Sequence, residues 1–258
     1  MSENTWNTAI TDIKPNEIRL RGYRIDELMG RADFGQVLYL LLRGELPDEK
    51  IGRLMTAMLV SSMDHGPGAP SAHAARCAAR TGAPLAACVA SGVLSINRFH
   101  GGAIEDCARA IKEVMDRADD GECPLDDAVD QVLAEYKARK FRVAGFGHRV
   151  HTADPRTPRL FELAAEAGVA GPQIAACRGI EAGLARQLGK TLPVNVDGAI
   201  GAVLLGLGFD FEVMNGLFLL SRTAGLIAQA REETTRERKM RNIVPGAHRY
   251  DGPPQRSL

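Results

Sequence analysis

Val143-Ala144-Gly145-Phe146-Gly147-His148-Arg149-Val150-His151-Thr152-Ala153-Asp154-Pro155-Arg156 is the stretch on which the fold turns. Gly145-Phe146-Gly147 begins like a dinucleotide-binding fingerprint, which would place the chain among the parallel α/β folds. The third glycine of that fingerprint is absent, and no strand–helix–strand unit surrounds it. The stretch therefore reads as a loop. Its glycines let the backbone pass close to another group. A histidine follows at once, and Asp154-Pro155-Arg156 makes a turn. Such a loop can aim an imidazole and a guanidinium at one small anion.

Outward from this loop the periodicity is helical. Asp33 resembles a helix N-cap, with Gln36 three residues later as in a capping box. Val37, Leu40 and Leu41 follow at helical spacing, and Gly44 stands where a C-terminal glycine belongs. Leu46-Pro47-Asp48 restarts a helix whose apolar face is Ile51, Leu54, Met55, Met58 and Leu59. Two prolines and two glycines break it between Asp64 and Pro70. Helices are expected from about Ser71 to Arg80 and from Pro84 to about Ile96. Both are rich in small residues, which suits a tightly packed core or a subunit contact. Further helices are expected from Gly102 to about Arg117, from Leu125, from Pro158 to Ala167, from Pro172 to Leu188 and from Ala199 to Leu207. Asp210 can cap a last long helix carrying Val213, Leu217, Leu220 and Ile227. The charged run from Arg231 to Arg241 reads as a solvated face or tail helix. Residues 1 to 22 look irregular or weakly extended, and Phe141-Arg142-Val143 is the one other strand candidate. With period-two alternation almost absent, the fold class is all-α.

The 258 residues suffice for one large domain, or a large and a small one. Hydrophobic residues at 45% and charged residues at 25% mark an ordinary globular composition. A formal net charge of +0 offers no general attraction to nucleic acid or an anionic membrane. The N-terminus carries Glu3 and Asp12 and lacks an apolar signal core, and apolar runs such as Val37 to Leu42 fall far short of a membrane span. A cytoplasmic location is expected. Cys77, Cys88, Cys107, Cys123 and Cys177 form no C-x-x-C pair, and they read as small buried residues in a reducing compartment rather than as a catalytic thiol.

Chemistry concentrates in the loops. Three of the six histidines, His65, His100 and His148, lie at helix breaks beside glycine. Metal binding is not expected. His148 and His151 are three apart with Asp154 nearby, but Gly147 and Pro155 preclude a regular helix face. There is no H-E-x-x-H and no Cys/His ligand set. A proton-transfer site fits better. Asp197, in Asn195-Val196-Asp197-Gly198, lies where a helix is about to start. A carboxylate there can be held by backbone donors, serving as an N-cap or facing a cleft as a base. An imidazole can donate to an oxygen gaining charge. Arg156 and Arg222 are candidates for bidentate carboxylate binding. Arg222 lies in an apolar stretch with Leu217, Phe218, Leu219, Leu220 and Ala224, unlike a surface arginine.

Taken together, these stretches resemble the citrate synthase superfamily. Arg21-Gly22-Tyr23-Arg24-Ile25-Asp26-Glu27-Leu28 and Leu40-Leu41-Leu42-Arg43-Gly44-Glu45-Leu46-Pro47 are similar to its early part. Phe99-His100-Gly101-Gly102-Ala103, the loop from Gly147-His148 to Asp154-Pro155-Arg156, and Asn195-Val196-Asp197 resemble its three catalytic stretches. Arg222 with Gly225 resembles its late arginine helix. The likeness spans roughly residues 10 to 250, and the combination is specific where any single motif would be weak.

The resemblance implies a citrate synthase-like architecture. Residues 1–99 and 201–258 would form a large helical domain, and 100–200 a smaller helical domain that closes over the substrate and contacts CoA. It implies that His100 assists enolisation of an acyl-CoA thioester, that Asp197 exchanges the α-proton, and that His148 polarises the keto group of oxaloacetate. His65, Arg156 and Arg222 would hold the di- or tricarboxylate. The coenzyme A thioester would come and go as substrate or product, with no permanently bound cofactor and no metal. Small-molecule substrates and a homodimer or higher homo-oligomer are the implied partners, without nucleic acid or membrane.

Within the superfamily, the chain is most similar to stand-alone citryl-CoA lyases and to the C-terminal lyase portion of ATP-citrate lyase. One helix joins Pro47 to Asp64, where citrate synthases carry several. Asp64-His65-Gly66-Pro67 resembles the lyase branch, and Ala69 replaces the usual asparagine. His100 resembles the synthases, since ATP-citrate lyase has phenylalanine there. Val244-Pro245 stands where synthases have Arg-Pro, whose arginine reaches the partner subunit's carboxylate; Arg241 and Arg249 are candidates to replace it. The resemblance thus implies cleavage of citryl-CoA, or a close 3-hydroxyacyl-CoA, to acetyl-CoA and oxaloacetate. The alternatives are a compact citrate synthase or 2-methylcitrate synthase and, from another class, a non-catalytic CoA- or citrate-binding relative.

Overall fold

The computed structural model describes residues 6–120, 123–149, 151–240, 251–252 and 254–257. Arg241, Val244, Pro245 and Arg249, with the arginine replacement expected there, lie outside the described residues, as does Val150 of the loop. Packing divides the chain into two compact units, Met1–Asp64 with Ile96–Arg222, and His65–Ser95 with Thr223–Leu258. These units differ from the expected division into 1–99 plus 201–258 and 100–200. A partition by packing is distinct from a partition by motion.

The first unit opens with a three-stranded antiparallel meander, β1 Thr11–Lys14, β2 Glu17–Leu20 and β3 Tyr23–Arg24, with Thr11 opposite Leu20 and Leu20 opposite Tyr23. Its turns place Asn16 and Arg21 at positive φ. The weak extension expected before residue 22 is thus a sheet. Its alternation was hard to see because β1 lies largely exposed on both faces. Phe141-Arg142-Val143 is no strand; the local ladder contact is a single bridge between Phe146 and Val194.

After α1 (Ile25–Leu28), α2 (Phe34–Arg43) starts at Asp33, whose side chain accepts from the Gln36 amide while Gln36 returns the bond, as a capping box requires. It ends at Gly44 with φ 87°, a left-handed turn that glycine enters without strain. Asp48 caps α3 (Glu49–Ser62), whose Leu54, Met55 and Met58 are fully buried. The chain crosses to the second unit for α4 (Pro70–Arg80) and α5 (Leu85–Leu94), then returns for α6 (Ala103–Asp120), α7 (Leu125–Ala138), α8 (Arg156–Glu166), α9 (Pro172–Leu188) and α10 (Val196–Gly206). The last helix, α11 (Phe211–Arg236), contributes its first half to one unit and its second half to the other.

Helix α10 is the axis of the first unit. Eight of its residues, Val196, Gly198 and Ala199 through Leu204, are buried against α6, α8 and α9. A helix apolar on every side must be enclosed on every side. It begins three residues before the expected start because Asn195, not Asp197, is its cap. Helix α8 likewise begins two residues early, which brings Arg156 into its first turn.

The second unit buries Ala79, Cys88 and Ala230, and an ion pair, Arg76 Nε to Glu233 Oε2 at 2.8 Å, ties α4 to α11. The expectation of burial holds for Cys88, Cys107 and Cys177; Cys77 faces outward from α4, and Cys123, just before α7, is half-buried. All five thiols are free. Among the described residues no helix is long and apolar enough to cross a membrane.

Candidate active site

Asp197 is the only charged residue of α10. Its Oδ1 is sealed from solvent and has no hydrogen-bond partner among the described residues. The backbone donors expected to hold this carboxylate are taken by the Asn195 side chain, whose Oδ1 accepts from the amides of Asp197 (3.0 Å) and Gly198 (3.2 Å). Burial pushes the Asp197 carboxyl up to about 6, against the pull of Arg156 and Arg222 and with a further push from Asp154. A buried acceptor left unpaired is costly, and such a group poised near neutrality is suited to carry a proton.

His148 follows two residues in left-handed or tight conformation, Gly145 at φ 84° and Gly147 at φ 81°. At Gly145 a side chain could not fit, since a Cβ would lie 2.5 Å from Cys107 Sγ and 2.8 Å from Gly198 Cα. Nδ1 of His148 accepts from the His151 amide at 3.1 Å, and the two rings stack at 4.4 Å. With Nδ1 accepting, the proton of the neutral ring sits on Nε2, leaving that atom a donor.

His100 closes a turn in which His100 and Asn97 exchange backbone hydrogen bonds of 2.8 and 2.9 Å. Its ring meets the edge of Phe218 at 5.8 Å. Burial, then the charges of Arg222 and Arg149, hold it below the ordinary histidine value, so it is neutral at pH 7. A cavity of about 420 Å³ opens beside this turn, lined by Asn97, Gly101, Gly102, Asn215 and Leu219 among others.

The two arginines hang from the end of α3. Arg156 Nη1 donates to Ser61 O at 3.0 Å and Arg222 Nε to Ser62 O at 3.0 Å, so both cations satisfy carbonyls that a helix C-terminus leaves without partners. Arg156 also grips Asp154 through Nε (2.9 Å) and Nη2 (2.7 Å). Burial works against the Asp154 charge, but the hydrogen bonds and charge of Arg156 outweigh it and hold the carboxyl below its usual range. Arg222 is buried, with its Cζ 4.6 Å from the Phe218 ring centroid. Burial lowers its value first, and Asp64 and Asp197 push back.

Of the six expected residues, the first unit electrically couples Asp197, Arg156, Arg222 and His100. His148 stands in the loop joined to the start of α10. His65 is exposed and belongs to the second unit. Asp154, Asn195, Phe218 and the Ser61 and Ser62 carbonyls were not named from sequence as site members. Asp154 and Asn195 stood inside quoted motifs; the carbonyls carry no sequence signal at all. No group of three or more His, Cys, Asp or Glu among the described residues is placed to hold a metal ion.

A helical unit with a buried carboxylate lacking a partner for one oxygen, a neutral imidazole at His100 and anchored guanidiniums has the groups that proton transfer on a carboxylate-bearing ligand requires. The family described as "Citrate synthase, C-terminal domain" matches residues 3–52 and 47–243. The chain belongs to that family. It is similar to the structure of citryl-CoA lyase from Hydrogenobacter thermophilus, at 39% identity and a TM-score of 0.87, covering 98% of this chain and 97% of that one. It is also similar to Methanosaeta concilii ATP citrate lyase in complex with (3S)-citryl-CoA, at 26% identity and a TM-score of 0.84, covering 99% of this chain and 43% of that one. Among curated relatives, ATP-citrate synthase beta chain protein 1 of Oryza sativa is 33% identical over 180 residues, 64% of this chain and 28% of the relative. The chain thus spans less than a third of that protein.

Proposed function

We propose that this chain is a carbon–carbon lyase that cleaves citryl-CoA, or a close 3-hydroxyacyl-CoA, to acetyl-CoA and oxaloacetate. The observation that carries the reading is Asp197: a single carboxylate inside an apolar helix, with one oxygen unpaired and its affinity for a proton raised to about 6. Likeness to a citryl-CoA lyase over nearly the whole of both chains supports the substrate.

In this reading Asp197 takes the proton of the tertiary hydroxyl. The carbon–carbon bond breaks as the alkoxide collapses to the ketone of oxaloacetate, and its electron pair becomes the enolate of the thioester. Asp197 then returns the proton to the methylene carbon, giving the acetyl methyl group with no net proton change. His148, through Nε2–H, steadies the oxygen that becomes the ketone, and His100 donates to the thioester oxygen of the enolate. Arg156 and Arg222 hold the carboxylates. Arg156 does so braced by Asp154 and Ser61 O, whose bonds take three of its five N–H donors.

Residues 100–200 close as a lid and contact CoA, which is exchanged as substrate and product, and no cofactor stays bound. The protein works in the cytoplasm as a homo-oligomer. Supporting assembly, α5 has no charged residue yet buries only Cys88 and Gly92, leaving Leu85 51% and Leu94 78% exposed.

The test mixes pure protein with synthetic citryl-CoA and, separately, with acetyl-CoA plus oxaloacetate. Appearance of oxaloacetate and acetyl-CoA in the first mixture is expected. Free thiol release only in the second would sink the lyase reading in favour of a compact synthase. Ligand-induced thermal stabilisation without turnover in either would identify a non-catalytic relative.

A further inference from the structure

The His148 loop and the start of α10 meet along a short seam. The Asn195 amide donates to Gly145 O at 3.0 Å, and the Gly147 amide donates to Pro193 O at 2.7 Å. Phe146 and Val194 form a bridge between the two hydrogen bonds. At the centre is the Asn195 side chain. Its Oδ1 accepts from the amides of Asp197 and Gly198, while its Nδ2 donates to Gly147 O at 2.9 Å. One side chain therefore holds the backbone of the proposed base and the backbone immediately before the proposed ketone-side histidine.

Capping alone does not require this. An N-cap needs one acceptor oxygen, and Asp, Ser or Thr supply it about as well as Asn. Asparagine alone among them carries a donor on an atom separate from the capping oxygen, on one short, planar group. That donor is spent on Gly147 O, outside the helix. The seam also has no slack: a Cβ on Gly198 would lie 2.4 Å from Gly145 O. The neighbouring segment is pinned as well, Val194 donating to Glu181 Oε1 at 2.9 Å and Thr157 Oγ1 donating to Val194 O at 2.8 Å.

We infer that Asn195 is a positioning residue: through its Nδ2–H···O bond to Gly147 it sets the location of His148 relative to Asp197. It acts through these two residues and does not touch the reacting atoms. The inference rests on the lyase reading for its catalytic consequence, but not for its structural one.

The experiment uses the full chain with Asn195→Asp and Asn195→Thr; both keep a capping oxygen and lose the amide Nδ2–H, and the one hydroxyl of threonine sits on the capping oxygen itself, away from the Nδ2 position. Expected for both is a kcat on citryl-CoA lowered about tenfold to a hundredfold, as follows from misplacing a catalytic group. Expected also is amide hydrogen exchange about tenfold faster in residues 143–149, with exchange in 196–206 and the melting temperature close to wild type. Wild-type kcat and exchange in both variants would overturn the inference, leaving a plain cap. So would equal acceleration in both segments with a lower melting temperature. If the unmodified protein does not cleave citryl-CoA, the lyase reading fails by itself, and the exchange contrast between the two segments still decides the role of Asn195.

Discussion

Asp197 has an ordinary carboxylate's chemistry in a place that withholds an ordinary carboxylate's partners. Its value is raised from 3.8 to about 6 chiefly by burial. A folded-state value above the unfolded one means that its contribution to stability is present at low pH and is lost as pH rises from about 4 through about 6. Above that window the ionised group costs at most about 3 kcal/mol. Asp197→Asn is therefore expected to melt higher than wild type at pH 7.5, with the gain shrinking towards zero near pH 4, while cleavage falls at least about a hundredfold. Melting curves across this range, beside initial rates, check both halves. A variant less stable than wild type at pH 7.5 would contradict the burial account. The wild-type cleavage rate should itself fall below about pH 6, as Asp197 becomes protonated.

At the scale of elements, much was legible. The capping box at Asp33 and Gln36, the stop at Gly44 and the cap at Asp48 are local hydrogen-bonding events, and local chemistry decided them. The early start of α10 was missed because two cap-competent residues, Asn195 and Asp197, stand two apart in sequence, and the Asn195 side chain takes the amides of Asp197 and Gly198. The paired anchoring of Arg156 and Arg222 on Ser61 O and Ser62 O depends on where α3 ends, which no side chain announces. In the second unit, the buried pair Arg76–Glu233, shared with Gln229 through Arg76 Nη1 at 2.8 Å, joins α4 to α11. Glu233→Ala strands a buried guanidinium and is expected to lower unfolding free energy by about 3 kcal/mol or more, measured by urea titration. The double replacement Arg76→Met, Glu233→Leu should lose much less. Equal losses would show that the pair's charge is not what matters.

For the whole molecule, the small-residue composition of residues 71–96 pointed to close packing or a subunit contact. Helix α5 realises the first in part, with Gly92 set against Leu226 and Ser71 O, and leaves an uncharged face outward. If a second copy covers that face, sedimentation should give a mass at least twice 27.8 kDa. Leu85→Lys with Leu94→Asp should then return it to that of one chain. A single-chain mass for the unmodified protein would rule out the assembly.

The helical class, many helix ends and the glycine turns before His148 and after His100 were legible along the chain, because periodicity, caps and glycine conformations act over a few residues. The sequence by itself also placed Asp197 at the threshold of a helix, as a cap or a base. Only the tertiary structure decided what that charge meets. The cap of α10 passed to Asn195, the donors of Arg156 went to Asp154 and Ser61, and Nδ1 of His148 went to the His151 amide. Each of these outcomes is a competition for hydrogen-bond partners, some close in the chain and some, such as Arg156 with Ser61, far apart, and burial sets the winner by removing water as an alternative.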